Sequence, residues 1–208
     1  FIQTDSKLPV IRPATLAVLL VLLAACVAPE VLTPRDGTVP TGVDFSGQWQ
    51  IQSDQRADQR RLREAIRRTD GISDDDLFRR PNRESTDRNR RSGNSGVKGG
   101  LVFVFLETGS SLKVTQTEYG LFISFDRAVV EEYRFGENRI INVGEVQAQR
   151  VTGWEGEQLI VETLDKNGMK MTERLALAES GNALIRTITF RSKEGDEETV
   201  VQRFDRDN

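Results

Sequence analysis

From residue 111 to the end of the chain, apolar and polar residues alternate in short runs broken by turn residues. Leu112–Gln116 leads to a turn at Tyr119-Gly120, and Leu121–Phe125 ends at Asp126-Arg127. Val129–Phe135 ends at Gly136-Glu137-Asn138. Two runs follow, Ile140–Arg150 and Val151–Trp154, and then the turn Glu155-Gly156. Leu159–Leu164 meets Asp165-Lys166-Asn167-Gly168, whose Asn-Gly pair is a strong hairpin signal. Met169–Ala178, Ala183–Arg191 and Thr199–Asp205 complete the series. Regular spacing without helix-length patterns between the runs predicts an antiparallel all-β domain of about eight to nine strands, a barrel or a strongly curved sheet. Within Leu121–Phe125 the apolar set Leu121, Ile123 and Phe125 recurs at every second position, so one face is buried. Glu131, Arg134, Glu162, Glu173, Arg174 and Arg186 are expected on the solvent side, which is too charged for a barrel bathed in lipid.

Phe45, Trp49 and Ile51 mark a first strand that opens the domain, which spans 44–208. The pattern then changes over 53–100. Arg56, Arg60, Arg61, Arg63, Arg67 and Arg68 surround Leu62, Ala65 and Ile66 at helical spacing, which predicts a short basic amphipathic helix. Ser73 before Asp74, Asp75 and Asp76 is a second helix start, and Arg79–Gly100 reads as a loop. Leu101–Leu106 fits a buried strand or a helical turn equally well. Ahead of the domain, 26–43 carries Pro29, Pro34 and Pro40 and reads as a flexible tether.

Leu16–Ala25 is a run of about ten apolar residues after Lys7 and Arg12, too short to span a bilayer and the length of a signal-peptide core. Residues 1–25 are therefore expected to be a signal peptide. A start at Leu8 or Val10 would leave a signal of conventional length. The tetrapeptide Leu23-Ala24-Ala25-Cys26 resembles the bacterial lipobox. That resemblance implies diacylglycerol and acyl chains on Cys26, and more than one chain makes such an anchor stable. It implies a cell-envelope protein partnered with the membrane, and Val27 in place of Asp implies the outer membrane, facing the periplasm.

Composition narrows the chemistry. The 208 residues include no histidine and one cysteine, with a formal charge of −3. Without histidine the commonest general base and metal ligand are missing, and one thiol makes neither an intrachain disulfide nor a cysteine zinc site. The adjacent pairs Glu131-Glu132 and Glu197-Glu198 point to opposite faces of a strand and cannot share a substrate atom. No enzyme, cofactor or metal is expected. An acidic chain lacks the basic field of a general nucleic-acid binder. The sequence leaves oligomeric state open.

Gly47-Gln48-Trp49 resembles the Gly-x-Trp signature of lipocalin-like proteins, and Asp44 to Asp205, apart from the basic insertion, resembles bacterial lipocalin-like secreted or lipid-anchored proteins. The resemblance implies that Gly47 turns the chain into the barrel and Trp49 closes its base, with Arg203 of the last strand packed over the tryptophan. It implies a small apolar ligand inside, with Val114, Ile123, Phe125, Val161, Leu175, Leu177, Ile188 and Phe190 as candidate lining. The alternatives are that these residues fill the core, and that the protein works through envelope contacts of its Arg-rich insertion.

Overall fold

The computed structural model describes residues 29–70 and 102–207, with the backbone alone at Asp70. The signal segment, Cys26, the Ser73 helix and the Arg79–Gly100 loop lie outside the described residues. The chain divides into two units, Phe1–Glu30 and Val31–Asn208, and the whole sheet belongs to the second.

Ten antiparallel strands form one sheet: β1 (Gly47–Ile51), β2 (Ser111–Gln116), β3 (Gly120–Phe125), β4 (Val129–Arg134), β5 (Asn138–Val143), β6 (Val146–Glu155), β7 (Gln158–Asp165), β8 (Lys170–Ala178), β9 (Ala183–Arg191) and β10 (Glu197–Arg206). Consecutive strands pair from β1 to β4 and from β5 to β10, and β1 also pairs with β10. The sheet therefore joins the two ends of the domain, with β4 and β5 as its free edges. It curls into a half-barrel that brings these edges near one another. The Arg139 guanidinium donates to the Glu132 carbonyl at 2.7 Å, and the Arg150 guanidinium donates to Glu131 Oε2 at 3.0 Å.

The break expected between Arg150 and Val151 falls instead at Gly144, whose φ of +59° suits glycine and makes the β5–β6 turn.

Helix α1 (Gln55–Asp70) follows β1. Asp54 caps it, its Oδ2 accepting from the Ala57 N–H at 3.0 Å. Leu62, Ala65 and Ile66 bury the inner face of α1 against Val102, Phe105, Met171, Ile188, Phe190 and Val200. The ambiguous segment resolves as a 3-10 turn, Val102–Phe105.

The expected tether is only partly one. From Leu32 onward it packs as a strap. Leu32 is buried against Val151 and Leu164 on the outer face of β6 and β7. The Arg35 guanidinium grips Glu162, with Nη2 at 2.8 Å from Oε2, and reaches Glu155. Asp36 forms a β-bridge with Trp154. Gly153 lies beneath this crossing, where a Cβ would collide with the Asp36 carbonyl and Arg35.

Candidate functional site

Ladder register assigns each side chain to a face. Leu112 opposes Phe125, Val161 opposes Glu173, Leu175 opposes Arg186, and Arg186 opposes Gln202. All eight candidate lining residues share this inner face. They do not surround one void. Val114, Ile123, Phe125, Val161 and Leu175 belong to an apolar cluster at one end, with Leu177 packed against it. Ile188 and Phe190 belong to the cluster beneath α1. Apart from Leu177, none is more than 3% exposed, so almost no water-sized space remains at their surfaces.

The first cluster ends in an aromatic plug. Trp49 is fully buried, and its Nε1–H donates to the Phe45 carbonyl at 3.0 Å. Phe45 stacks on Trp154 with centroids 5.7 Å apart, and Phe135 meets Trp154 edge-on at 5.2 Å. Arg206, not Arg203, covers Trp49, with its guanidinium carbon 4.2 Å from the ring centroid. Alternation explains the correction. Gln202, Phe204 and Arg206 point inward, which turns Arg203 outward to pair with Glu179 and Asp205. Gly47 has φ +149°, and a Cβ there would lie 2.5 Å from Arg206 Nη1, so glycine leaves the passage by which the guanidinium reaches the indole.

Between the two apolar clusters lies a polar belt. Arg186 and Glu173, each with a side chain 2% exposed, form a buried ion pair, and Arg186 Nε donates to Glu173 Oε2 at 2.8 Å. Arg186 also donates to the Glu107 carbonyl at 3.0 Å and lies over Phe125. Gln202 bonds Asp58, which α1 inserts into the interior. Arg150 contacts Glu131 and Thr163 and lies over Tyr133. Burial works against the Arg186 cation, but Glu173 more than offsets it, and its pKa lies above the ordinary guanidinium value. Burial also raises the Tyr133 phenol, with nearby Glu173 adding to the shift. Glu173 Oε1 is buried without a hydrogen-bond partner. Glu131, Glu173 and Arg186 are thus inside, against the expectation that they face solvent.

Open space lies under the helix instead. A cleft of about 340 Å³ runs between α1 and the 3-10 turn, walled by Leu62, Ile66, Phe103, Val104 and Leu106, with Gln59, Arg63 and Thr108 also lining it. Along α1, Arg56, Arg60, Arg63 and Arg67 are all exposed at the spacing of one helical stripe, which borders the cleft at Arg63. Among the described residues no three His, Cys, Asp or Glu side chains are grouped to hold a metal ion. Among them, too, no helix is long and apolar enough to cross a membrane.

No family model matches the chain, and no curated protein matches it. Two solved structures from Ramazzottius varieornatus are similar in fold. Secretory abundant heat soluble protein 4 is 14% identical, with a TM-score of 0.47, covering 82% of this chain and 100% of its own. A second secretory abundant heat soluble protein, from a dimer sample, is 11% identical with a TM-score of 0.38, covering 47% of this chain and 70% of its own.

Proposed function

We propose that this chain is a bacterial envelope lipoprotein, anchored through Cys26, whose domain holds a small apolar ligand between helix α1 and the 3-10 turn. The observation that carries the ligand reading is the cleft of about 340 Å³ with five apolar walls. A site of this size and lining suits a small apolar body with one polar end near Gln59 or Thr108. Binding there needs no hollow barrel. The polar belt serves as a floor that fixes the helix through Asp58 and Gln202. Binding, not catalysis, is the activity proposed.

Native mass spectrometry on the chain from residue 26 onward, carrying Cys26→Ser and purified without detergent, tests the ligand. An apolar species of defined mass, lost in Phe103→Asp, supports the cleft. No adduct after exposure to fatty acids and phospholipids sinks it. The anchor is tested separately. Cys26→Ala in the full chain is expected to leave the membrane fraction, and globomycin to block processing of the parent chain. Membrane retention of Cys26→Ala together with indifference to globomycin would refute the anchor.

A second reading rests on the arginine stripe of α1. Its guanidinium groups suit phosphate-bearing envelope components. Retention on immobilised lipopolysaccharide that falls steeply with salt, and is lost in the fourfold Arg→Gln variant of the stripe, would favour it.

A further inference from the structure

Most strands of this sheet carry a charged side chain on the outer face, whereas β1 and β3 present Gln48, Gln50, Phe122 and Ser124 there. Lys113 lies on β2, Glu132 and Arg134 on β4, Lys170 and Arg174 on β8, and Arg203 and Asp205 on β10. The outer face of β5 and β6 differs. Asn138, Ile140 and Asn142 of β5 point outward beside Gln149 and Gln147 of β6, and none is charged. Their amides satisfy one another: Gln149 Nε2 donates to Asn138 Oδ1 at 2.8 Å, and Gln147 Nε2 donates to Asn142 Oδ1 at 3.3 Å. Ile140 is 57% exposed among them.

The strap leaves the fold on this same face. The Leu32 N–H donates to Gln149 Oε1 at 3.0 Å, and Asn138 and Gln149 both donate to the Leu32 carbonyl. Val31, the next residue toward the N-terminus, is 69% exposed. From Leu32 back to Cys26 is about six residues, a reach of roughly 20 Å even when fully extended.

We infer that the uncharged β5–β6 face, with Val31 and Ile140, rests on the lipid bilayer that holds the anchor. This rests on the reading of Cys26 as lipidated, and it adds the orientation of the domain. Two physical reasons support it. An uncharged face with exposed apolar side chains loses little on entering the interfacial layer, whereas a face of lysine, arginine and carboxylates would lose its hydration. A patch this small binds weakly alone, but a leash this short makes its docking intramolecular and raises its effective concentration at the membrane. The cleft and the arginine stripe then keep their own surface for other partners.

Tryptophan quenching by brominated phospholipids tests the orientation. Ile140→Trp places a reporter in the proposed contact. Val201→Trp places one on the exposed outer face of β10, beside Arg60, Arg61 and Arg68 of α1. Signals are taken as differences from the parent chain, whose two tryptophans are buried. Each variant is examined as the lipoprotein isolated from bacterial membranes and reconstituted in vesicles, and again as the chain from residue 26 onward coupled by its single cysteine to maleimide lipid. At least a twofold loss of the added Ile140→Trp signal, with Val201→Trp unchanged, is expected in both. Quenching of Val201→Trp alone would overturn the inference and turn the arginine side to the bilayer, and so would quenching of neither. If bacteria yield no lipidated chain while the coupled chain shows the expected quenching, the docking face stands and the anchor reading falls.

Discussion

Arg206 lies over the Trp49 ring and anchors both ends of the domain at once. Its Nη1 donates to the Ser46 carbonyl at 2.9 Å and its Nε to the Gly181 carbonyl at 3.0 Å. One side chain near the C-terminus thus ties β1, the β8–β9 connection and the aromatic plug together. Arg206→Ala removes a cation–π contact and two hydrogen bonds, and is expected to cost about 2–3 kcal/mol in urea denaturation. Arg203→Ala should leave the midpoint nearly unchanged. Equal shifts in the two variants would refute this assignment.

The buried pair Glu173–Arg186 yields a sharper contrast. Glu173→Gln leaves an uncompensated cation inside and is expected to destabilise by about 3–5 kcal/mol. The double variant Glu173→Leu with Arg186→Met replaces the pair by apolar groups and is expected to recover most of that loss. Thermal unfolding of both, with retention of the far-ultraviolet circular dichroism spectrum, checks the prediction. A double variant no more stable than the single one would contradict it.

The strap is held by side chains, not by a ladder. Leu32→Ala is expected to cost about 2–3 kcal/mol through the cavity it leaves on Val151 and Leu164. Gly153→Ala is expected to act on the same segment by expelling the crossing at Asp36. Limited proteolysis should cut within 31–39 in both variants while the sheet survives. Unchanged cleavage would mean that this segment behaves as a free tether after all.

Two carboxyls give opposite pH responses. Burial first, and then the nearby Glu131, hold the Glu107 carboxyl above its ordinary value. The folded state therefore binds this proton more tightly than the unfolded chain, and ionising Glu107 costs stability as pH rises past the ordinary carboxylate value through the folded pKa. Glu107→Gln should be more stable than the parent at neutral pH and indistinguishable from it near about pH 3. Glu64 is the reverse. Hydrogen bonds from Arg67, and then Arg68, lower it to about 2. Its contribution is present above the ordinary glutamate value, is lost as pH falls toward about 2, and fades in salt because the group is exposed. Stability curves from pH 2 to 8 at two salt concentrations distinguish these signs.

Alternation makes the fold readable, and alternation followed further also finds the belt. Leu175 and Leu177 are legible as inward, so Glu173 two positions earlier shares their face. Ile188 and Phe190 likewise carry Arg186 inward. The charge of these residues argues for solvent and their register for the interior. Register wins because the two opposite charges meet there and satisfy each other. The same counting separates Arg206 from Arg203, since Phe204 is the apolar neighbour between them. Sequence carries no trace of which groups meet across the fold. Asp58 reaches Gln202 across 144 positions, and Leu32 reaches Gln149 across 117. The cleft under α1 is equally invisible there, because its volume depends on where a helix and a 3-10 turn settle against the sheet.

Pairing of β1 with β10 means that the two extremes of the domain complete each other. A chain delivered from its N-terminus exposes one edge of β1 until β10 arrives with Arg206. Hairpins from β2 to β4 and from β5 to β9 are local and form quickly, whereas the closing ladder bridges nearly the whole domain and is slow. Closure of the sheet is therefore timed by β10. Removing Arg206 unseats Trp49 at the other end of the sheet, so the domain closes only once β10 is in place.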